Sequence, residues 1–109
     1  MNELLNQIND KFNRKFNSIL INKYNNGMES VNSHQDKCNS DIISLSYGVT
    51  RKYRIRDLKK KIFKDIDLKH MEILMINENL NKNFKHEIVK STKIKESRYS
   101  LTFREIEVK

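Results

Sequence analysis

The chain has 109 residues, enough for one domain with a modest core and too few for two. It carries a formal net charge of +8 and a single cysteine, Cys38, which excludes an internal disulfide and favours a reducing compartment. No apolar run approaches the roughly 20 residues that a transmembrane helix needs, and the N-terminus lacks the pattern of a signal peptide. We therefore expect a soluble intracellular protein of the cytoplasm or nucleus, without a membrane partner.

The positive charge permits a polyanionic partner, because Lys and Arg neutralise phosphates. It is weak support by itself. Ala, Pro and Trp are absent, Gly occurs twice, and Asn, Lys and Ile are abundant. This bias is typical of an A/T-rich coding sequence, in which Lys accumulates without selection for binding.

The first predicted element is an amphipathic helix over residues 1–17. Its apolar side chains recur every three to four residues, at Leu4, Leu5, Ile8, Phe12 and Phe16. We expect this stripe to pack on a sheet. A partner-binding or membrane-surface role is the less favoured alternative, because the polar face mixes both charge signs.

Short strands follow the helix, since the apolar spacing changes from residue 18 onward. Residues 77–83 are polar and are predicted to form a loop. The predicted extended segments are 19–24, 28–36, 42–47, 51–56, 62–68, 73–76, 84–89 and 98–104. One helix followed by seven or eight strands predicts a single mainly β domain over 1–109, with a sandwich or jelly-roll core over 18–106.

The fourth of these segments carries a row of cations, Lys52, Arg54 and Arg56, opposite Tyr53 and Ile55. Such a row could follow the phosphates of a nucleic acid. A charged row is more often the solvated side of a strand, and we favour that interpretation.

Two His-x-acid pairs are candidate metal ligands. On a strand, side chains two residues apart point to the same face, so an imidazole and a carboxylate could hold one metal ion together. A second His from elsewhere would complete the two-His-one-carboxylate set of non-haem Fe(II). The pairs are His34 with Asp36 and His70 with Glu72, and the spacing alone does not decide between them.

The last segment, 98–104, alternates strictly and sets Arg98 and Arg104 on one face. If the strand bends across a barrel mouth, two guanidinium groups could hold a dicarboxylate, with Asn22 and Tyr24 adding an amide and a phenol. The alternative is a pair of surface cations near a C-terminus. The alternating pattern does not decide between these two interpretations.

Taken together, five segments resemble the AlkB-like family of 2-oxoglutarate- and Fe(II)-dependent dioxygenases. They include the motifs N-x-Y, H-x-D and R-x-S-L-T-F-R, and they fall in the family's order over residues 20–106. The segments are 20–27, 33–37, 43–48, 84–86 and 98–104. As a set they are specific, although no single one is.

The resemblance implies a double-stranded β-helix in which His34, Asp36 and His86 bind Fe(II). It also decides between the two candidate pairs. His70 and Glu72 fall where the family has a His-Gly-Asp turn that leads into a strand. His70 is therefore expected to be structural rather than a metal ligand.

The resemblance further implies a site for 2-oxoglutarate. Arg98 and Tyr24 would hold its distal carboxylate, while Asn22 and Arg104 would lie near its metal-chelating end. Ser100 stands where some members have an Asn that touches the cosubstrate. No side chain is expected to act as a general acid or base.

The implied activity is dioxygenation with O2, most simply the oxidative demethylation of alkylated nucleic-acid bases in single-stranded DNA or RNA. Two features depart from the family's repair enzymes. Only 21 residues precede Asn22, which leaves little for a lid over the substrate base, and Cys38 stands where members often have an acidic residue. The alternatives are the same chemistry on a protein or small molecule, and a non-catalytic basic nucleic-acid-binding module. Neither the substrate residues nor the oligomeric state is predicted.

Overall fold

The computed structural model describes residues 2–34 and 41–106. Within these residues it contains two helices, α1 (Asn2–Phe12) and α2 (Glu78–Asn83), and eight strands. The strands are β1 (Ser18–Tyr24), β2 (Val31–His34), β3 (Ile42–Gly48), β4 (Arg51–Asp57), β5 (Phe63–Leu68), β6 (Ile73–Ile76), β7 (Phe84–Ile88) and β8 (Arg98–Arg104).

The strands form two four-stranded antiparallel sheets, in the orders β1-β8-β3-β6 and β2-β7-β4-β5. An inner core joins them, because Tyr24, Ile42 and Ile76 of the first sheet cluster with Tyr53 and Ile88 of the second. Two facing sheets with this strand order are a double-stranded β-helix, or jelly roll. The predicted fold is confirmed.

The outer face of the first sheet is covered by α1. Ile8 of the helix packs with Ile43, Leu45 and Phe103, and Phe103 is completely buried. Because side chains alternate along a strand, this leaves the even-numbered positions of β1, β3 and β8 facing the second sheet. The helix thus buries one face and leaves the other for a site.

The helix is shorter than predicted, ending at Phe12 rather than at residue 17. Asn13 adopts a left-handed conformation (φ 52°) that stops the helix. The side chain of Asn9 then bonds both to the N–H of Phe16 (2.7 Å) and to its carbonyl (2.9 Å). Phe16 therefore reaches the same apolar cluster from a non-helical segment, so its apolar position was predicted correctly and its conformation was not.

The prediction of a loop over 77–83 was wrong, because Glu78–Asn83 forms the helix α2. Asn77 caps it, its side-chain oxygen accepting a hydrogen bond from the N–H of Leu80 at 2.7 Å. Leu80 packs against the inner core. Six residues with one buried apolar side chain are too few to show a helical period.

Acidic partners neutralise the cationic row of β4, as expected for a solvated side. Arg54 forms a two-pronged ion pair with Asp65 (2.7 and 3.0 Å), and Arg56 bonds to Glu87 at 2.6 Å. Lys52 faces Asp67 across the β4–β5 ladder. No helix in the described residues is long and apolar enough to cross a membrane.

Candidate active site

A cavity lies between the two sheets, close to the middle of β1 and β8. Its volume, taken as the space that the centre of a water molecule can occupy, is about 80 Å³. On the same measure a single water requires roughly 10–15 Å³. Its wall is apolar on one side and polar on the other. The polar lining includes Asn22, Tyr24, Ser44, His86, Arg98, Ser100 and Thr102.

The β1–β8 ladder brings four of the predicted residues together. Tyr24 pairs with Arg98 and Asn22 pairs with Ser100 in the antiparallel register. Directly opposed residues share a face of the sheet, and all four line the cavity. Asn22, Tyr24 and Arg98, predicted to contact one ligand, thus line one cavity.

Arg98 is a buried cation with spare hydrogen-bonding capacity. Its side chain is 1% exposed, and Nη2 donates to the hydroxyl of Ser46 at 2.7 Å. Nε and Nη1 are buried and find no partner within residues 2–34 and 41–106. Burial lowers the pKa of Arg98, yet a guanidinium remains protonated in proteins. Two N–H groups of a desolvated cation suit a carboxylate.

Two guanidinium groups approach the ring of Tyr24. Its ring centre is 5.6 Å from the guanidinium carbon of Arg98 and 5.5 Å from that of Arg51. Burial raises the pKa of the Tyr24 phenol, opposed by Arg98, by a side-chain hydrogen bond with Ser100 and by Arg51. The phenol is therefore neutral near pH 7 and retains a proton to donate.

Arg51 is a second buried arginine, which the sequence analysis did not select. It is 1% exposed, and its terminal nitrogens donate to four main-chain carbonyls, of Asn26 (3.2 Å), Gly27 (3.4 Å), Glu29 (2.8 Å) and Val89 (3.0 Å). The signal was present in the sequence, because alternation places residue 51 on the face of Tyr53 and not on the cationic row.

His86 stands on the opposite wall of the cavity. It is 9% exposed and stacks on Tyr53, with ring centres 5.5 Å apart and planes 17° apart. In the β2–β7 ladder residue 34 pairs with residue 86, after a register shift within β2. The fold therefore places the two predicted histidine positions directly opposite each other.

Other predicted site features lie outside the described residues. They are Asp36, Cys38 and the side chain of His34. The extended run predicted over 28–36 corresponds to β2 only at Val31–His34, with 28–30 in the preceding loop. The complete ligand set of His34, Asp36 and His86 stays a prediction.

Arg104 is not among the residues that line the cavity. It lies at the other end of β8 from Arg98, opposite Ser18 of β1, and the cavity is lined without it. Its Nε is nevertheless buried and has no hydrogen-bond partner in the described part of the chain. A role for Arg104 near the chelating end of the cosubstrate stays a prediction.

His70, of the rival pair, lies outside the cavity in the turn before β6. Its Nδ1 accepts a hydrogen bond from the N–H of Gly48 at 2.9 Å. Its ring and that of Tyr47 pack edge to face, with their centres 4.7 Å apart. Of the residues described, no three His, Cys, Asp or Glu side chains gather as a metal site would require. These contacts agree with a structural His70.

A jelly roll with a buried Arg–Tyr pair on one wall of its cavity and a histidine on the other defines a class of protein. The spare N–H groups of Arg98 fit a carboxylate, and the backbone register sets residue 34 opposite His86, which lines the same cavity. This combination is what an oxygenase that uses a 2-oxo acid and a metal requires.

Comparison with known proteins identifies the family. Residues 1–104 match the profile of the 2OG-Fe(II) oxygenase superfamily, and the chain belongs to it. It is 32% identical over 120 residues to bovine alpha-ketoglutarate-dependent dioxygenase alkB homolog 3, covering 94% of this chain and 41% of that protein. It is 31% identical over 104 residues to human DNA oxidative demethylase ALKBH2, covering 84% of this chain and 40% of that protein.

The AlkB-like resemblance seen in the sequence is thus confirmed. The chain spans about two fifths of the length of these curated relatives.

Proposed function

We propose that this chain is the core of an Fe(II)- and 2-oxoglutarate-dependent dioxygenase that demethylates alkylated nucleic-acid bases. The observation that carries the proposal is Arg98. Two nitrogens of its buried guanidinium, Nε and Nη1, have no described partner, and the group lies beside the Tyr24 phenol in the cavity between the sheets. A buried cation of this kind is costly unless an anion joins it, and a carboxylate matches its geometry.

The cosubstrate would bind with its distal carboxylate on Arg98 and Tyr24. Asn22, two residues before Tyr24 on β1, would lie toward the metal-chelating end of the acid. We assign Arg104 to the same end. Ser46 and Ser100 bond to Arg98 and Tyr24 and so orient the two groups that hold the acid. Ile42, Leu68 and Ile76 form the apolar side of the cavity wall.

Fe(II) would be held by His34, Asp36 and His86, a set that leaves coordination positions open. With 2-oxoglutarate and O2 bound, it supplies hydroxylation of a substrate C–H bond, coupled to conversion of the acid to succinate and CO2. On an N-methyl group the hydroxylated carbon leaves as formaldehyde. The protein's side chains need only bind and orient, and Tyr53 stacked on His86 fixes the plane of that imidazole.

A nucleic-acid substrate is supported by two facts. The human relative is named a DNA oxidative demethylase, and this chain carries a net charge of +8. Within nucleic acids we propose single-stranded DNA or RNA, since a base that is already unpaired is cheapest to bring into a cavity. Such substrates, and the single Cys38, fit a reducing location in the cytoplasm or nucleus.

The test is succinate release with a methylated oligonucleotide. We expect the purified chain with Fe(II), O2 and 2-oxoglutarate to release more succinate when a single-stranded N-methylated oligonucleotide is added. The amount of formaldehyde released should equal the additional succinate. The unmethylated oligonucleotide is the control. Succinate release that ignores the oligonucleotide would point to a protein or small-molecule substrate. Salt-sensitive binding of the oligonucleotide with no succinate at all would contradict catalysis.

A further inference from the structure

Arg51 lies behind the cosubstrate site and not in it. Its guanidinium approaches the Tyr24 ring at 5.5 Å, while Arg98 approaches the same ring at 5.6 Å. The cavity is lined by Tyr24 and Arg98 but not by Arg51. Arg51 therefore has no route to a bound ligand except through Tyr24 and the backbone that it holds.

The backbone held by Arg51 comes from both sides of the site. Three of its four carbonyl partners, Asn26, Gly27 and Glu29, belong to the loop that leaves β1 directly after Tyr24. The fourth, Val89, directly follows β7, the strand of His86. One guanidinium thus ties the end of β1 to the end of β7.

The loop is fitted tightly to this arrangement. Gly27 donates its N–H to the carbonyl of Ile94 at 2.9 Å and accepts from the N–H of Ser91 at 2.8 Å. A Cβ at this position would collide with the Ser91 carbonyl oxygen. The loop can therefore shift little without losing these bonds, and Arg51 bonds to three of its carbonyls.

We propose that Arg51 is a positioning residue for 2-oxoglutarate: it fixes the Tyr24 phenol against the distal carboxylate of the acid. This rests on the proposed function, since it assumes that the acid binds between Tyr24 and Arg98. A planar guanidinium is needed, because it lies over the ring as a cation and bonds to several carbonyls at once. Lysine keeps the charge but offers neither the flat face nor the fork of donors.

The test compares two 2-oxo acids in an anaerobic Fe(II) titration that reads the visible charge-transfer band, without turnover. 2-Oxoglutarate has a distal carboxylate and 2-oxobutyrate does not, although both chelate iron. We expect Arg51→Lys to weaken binding of 2-oxoglutarate by about fivefold, no more than the loss of the phenol hydroxyl itself, and of 2-oxobutyrate by less than about twofold. Arg54→Lys, an exchange on the outer face of the same strand, is the control and should change neither.

A second comparison asks whether Arg51 acts through the phenol. With Tyr24→Phe in place the ring remains but its hydroxyl is gone. Adding Arg51→Lys should then lower the affinity for 2-oxoglutarate by less than about twofold. The effects of the two substitutions are therefore not additive. Full additivity would overturn the proposal.

Other outcomes are equally decisive. Equal weakening of the binding of both acids would give Arg51 a general structural role and overturn the inference, as would no weakening.

Arg51→Gln, which retains an amide donor, is the second variant if the lysine variant does not fold, and circular dichroism reports folding. If neither variant folds at 10 °C, Arg51 serves the whole fold and the proposal fails. Wild-type protein that binds neither acid would instead refute the proposed function itself.

Discussion

Two buried arginines flank one tyrosine ring, and they differ in how their donors are used. The terminal nitrogens of Arg51 bond to four main-chain carbonyls. Arg98 bonds to the hydroxyl of Ser46, while its Nη1 finds no partner in the part of the chain that the structure describes, and Nε lacks a described partner in both arginines. Both side chains are 1% exposed, so burial does not distinguish them.

The difference separates a group that serves the fold from a group that awaits a ligand. Four carbonyls compensate the desolvation of Arg51, because charge-assisted hydrogen bonds replace those lost from water. Arg98 is compensated only in part, and its remaining N–H groups line a cavity. We therefore expect the two residues to respond in opposite ways to substitution.

The largest expected effect is on cosubstrate binding by Arg98→Met. We expect 2-oxoglutarate affinity to fall by about 3–4 kcal/mol, a few hundredfold, because one side of a buried ion pair is removed. Isothermal titration calorimetry with Fe(II) under nitrogen measures it. The free energy of unfolding without ligand should stay equal or rise, since an uncompensated buried charge is gone. A change in affinity below about threefold would remove Arg98 from the site.

Arg51→Met should show the reverse pattern in stability. We expect the free energy of unfolding to fall by about 2–3 kcal/mol, because four carbonyls lose their donor at once. Urea unfolding measures the loss. Arg54→Met on the outer face should cost about 1 kcal/mol, because its ion pair with Asp65 is only partly buried. Equal losses for the two variants would show that the four carbonyl bonds of Arg51 do not stabilise the fold.

A smaller effect is expected of Tyr24→Phe, which keeps the ring between both guanidiniums. Losing the phenol hydroxyl should weaken 2-oxoglutarate binding by about 1 kcal/mol, roughly fivefold, as for one hydrogen bond. The same calorimetric titration checks it. Unchanged affinity would mean that the Tyr24 hydroxyl does not contact the acid.

The smallest expected effect is a gain in stability from a substitution in the turn that contains His70. Met71 has a left-handed conformation (φ 66°) that glycine adopts at no steric cost, and the resemblance places a glycine here. We expect Met71→Gly to raise the free energy of unfolding by about 0.5 kcal/mol and to leave 2-oxoglutarate affinity unchanged. A thermal melt and one titration test both statements. A change in affinity would mean that the turn communicates with the cavity.

Local alternation predicted most of the strands and the inward face of the site. The strict pattern of 98–104 placed Arg98 and Ser100 together, and the structure puts both on the cavity wall. That worked because β8 is central, with apolar side chains required on the helix side and polar ones tolerated on the other. Alternation could not show that Arg104, on the same face, lies beyond the end of the cavity.

The features that were missed depend on long-range or single-atom contacts. Alternation places Arg51 on the inward face, but no local pattern reveals that carbonyls from the β1–β2 loop and from Val89, directly after β7, converge on it. The end of α1 depends on one side chain, Asn9, that captures the backbone of Phe16. The helix α2 depends on its Asn77 cap. The family resemblance supplied the proposed metal ligands, which spacing alone had left open between two pairs.

An anaerobic spectrophotometric titration tests the central claim most directly, namely that this jelly roll holds iron and 2-oxoglutarate together in its cavity. With Fe(II) and 2-oxoglutarate added to the wild-type chain, we predict a weak visible charge-transfer band. The band should be lost in His34→Ala and retained in His70→Ala. No band with the wild type, or a band that survives His34→Ala and disappears in His70→Ala, would contradict the account.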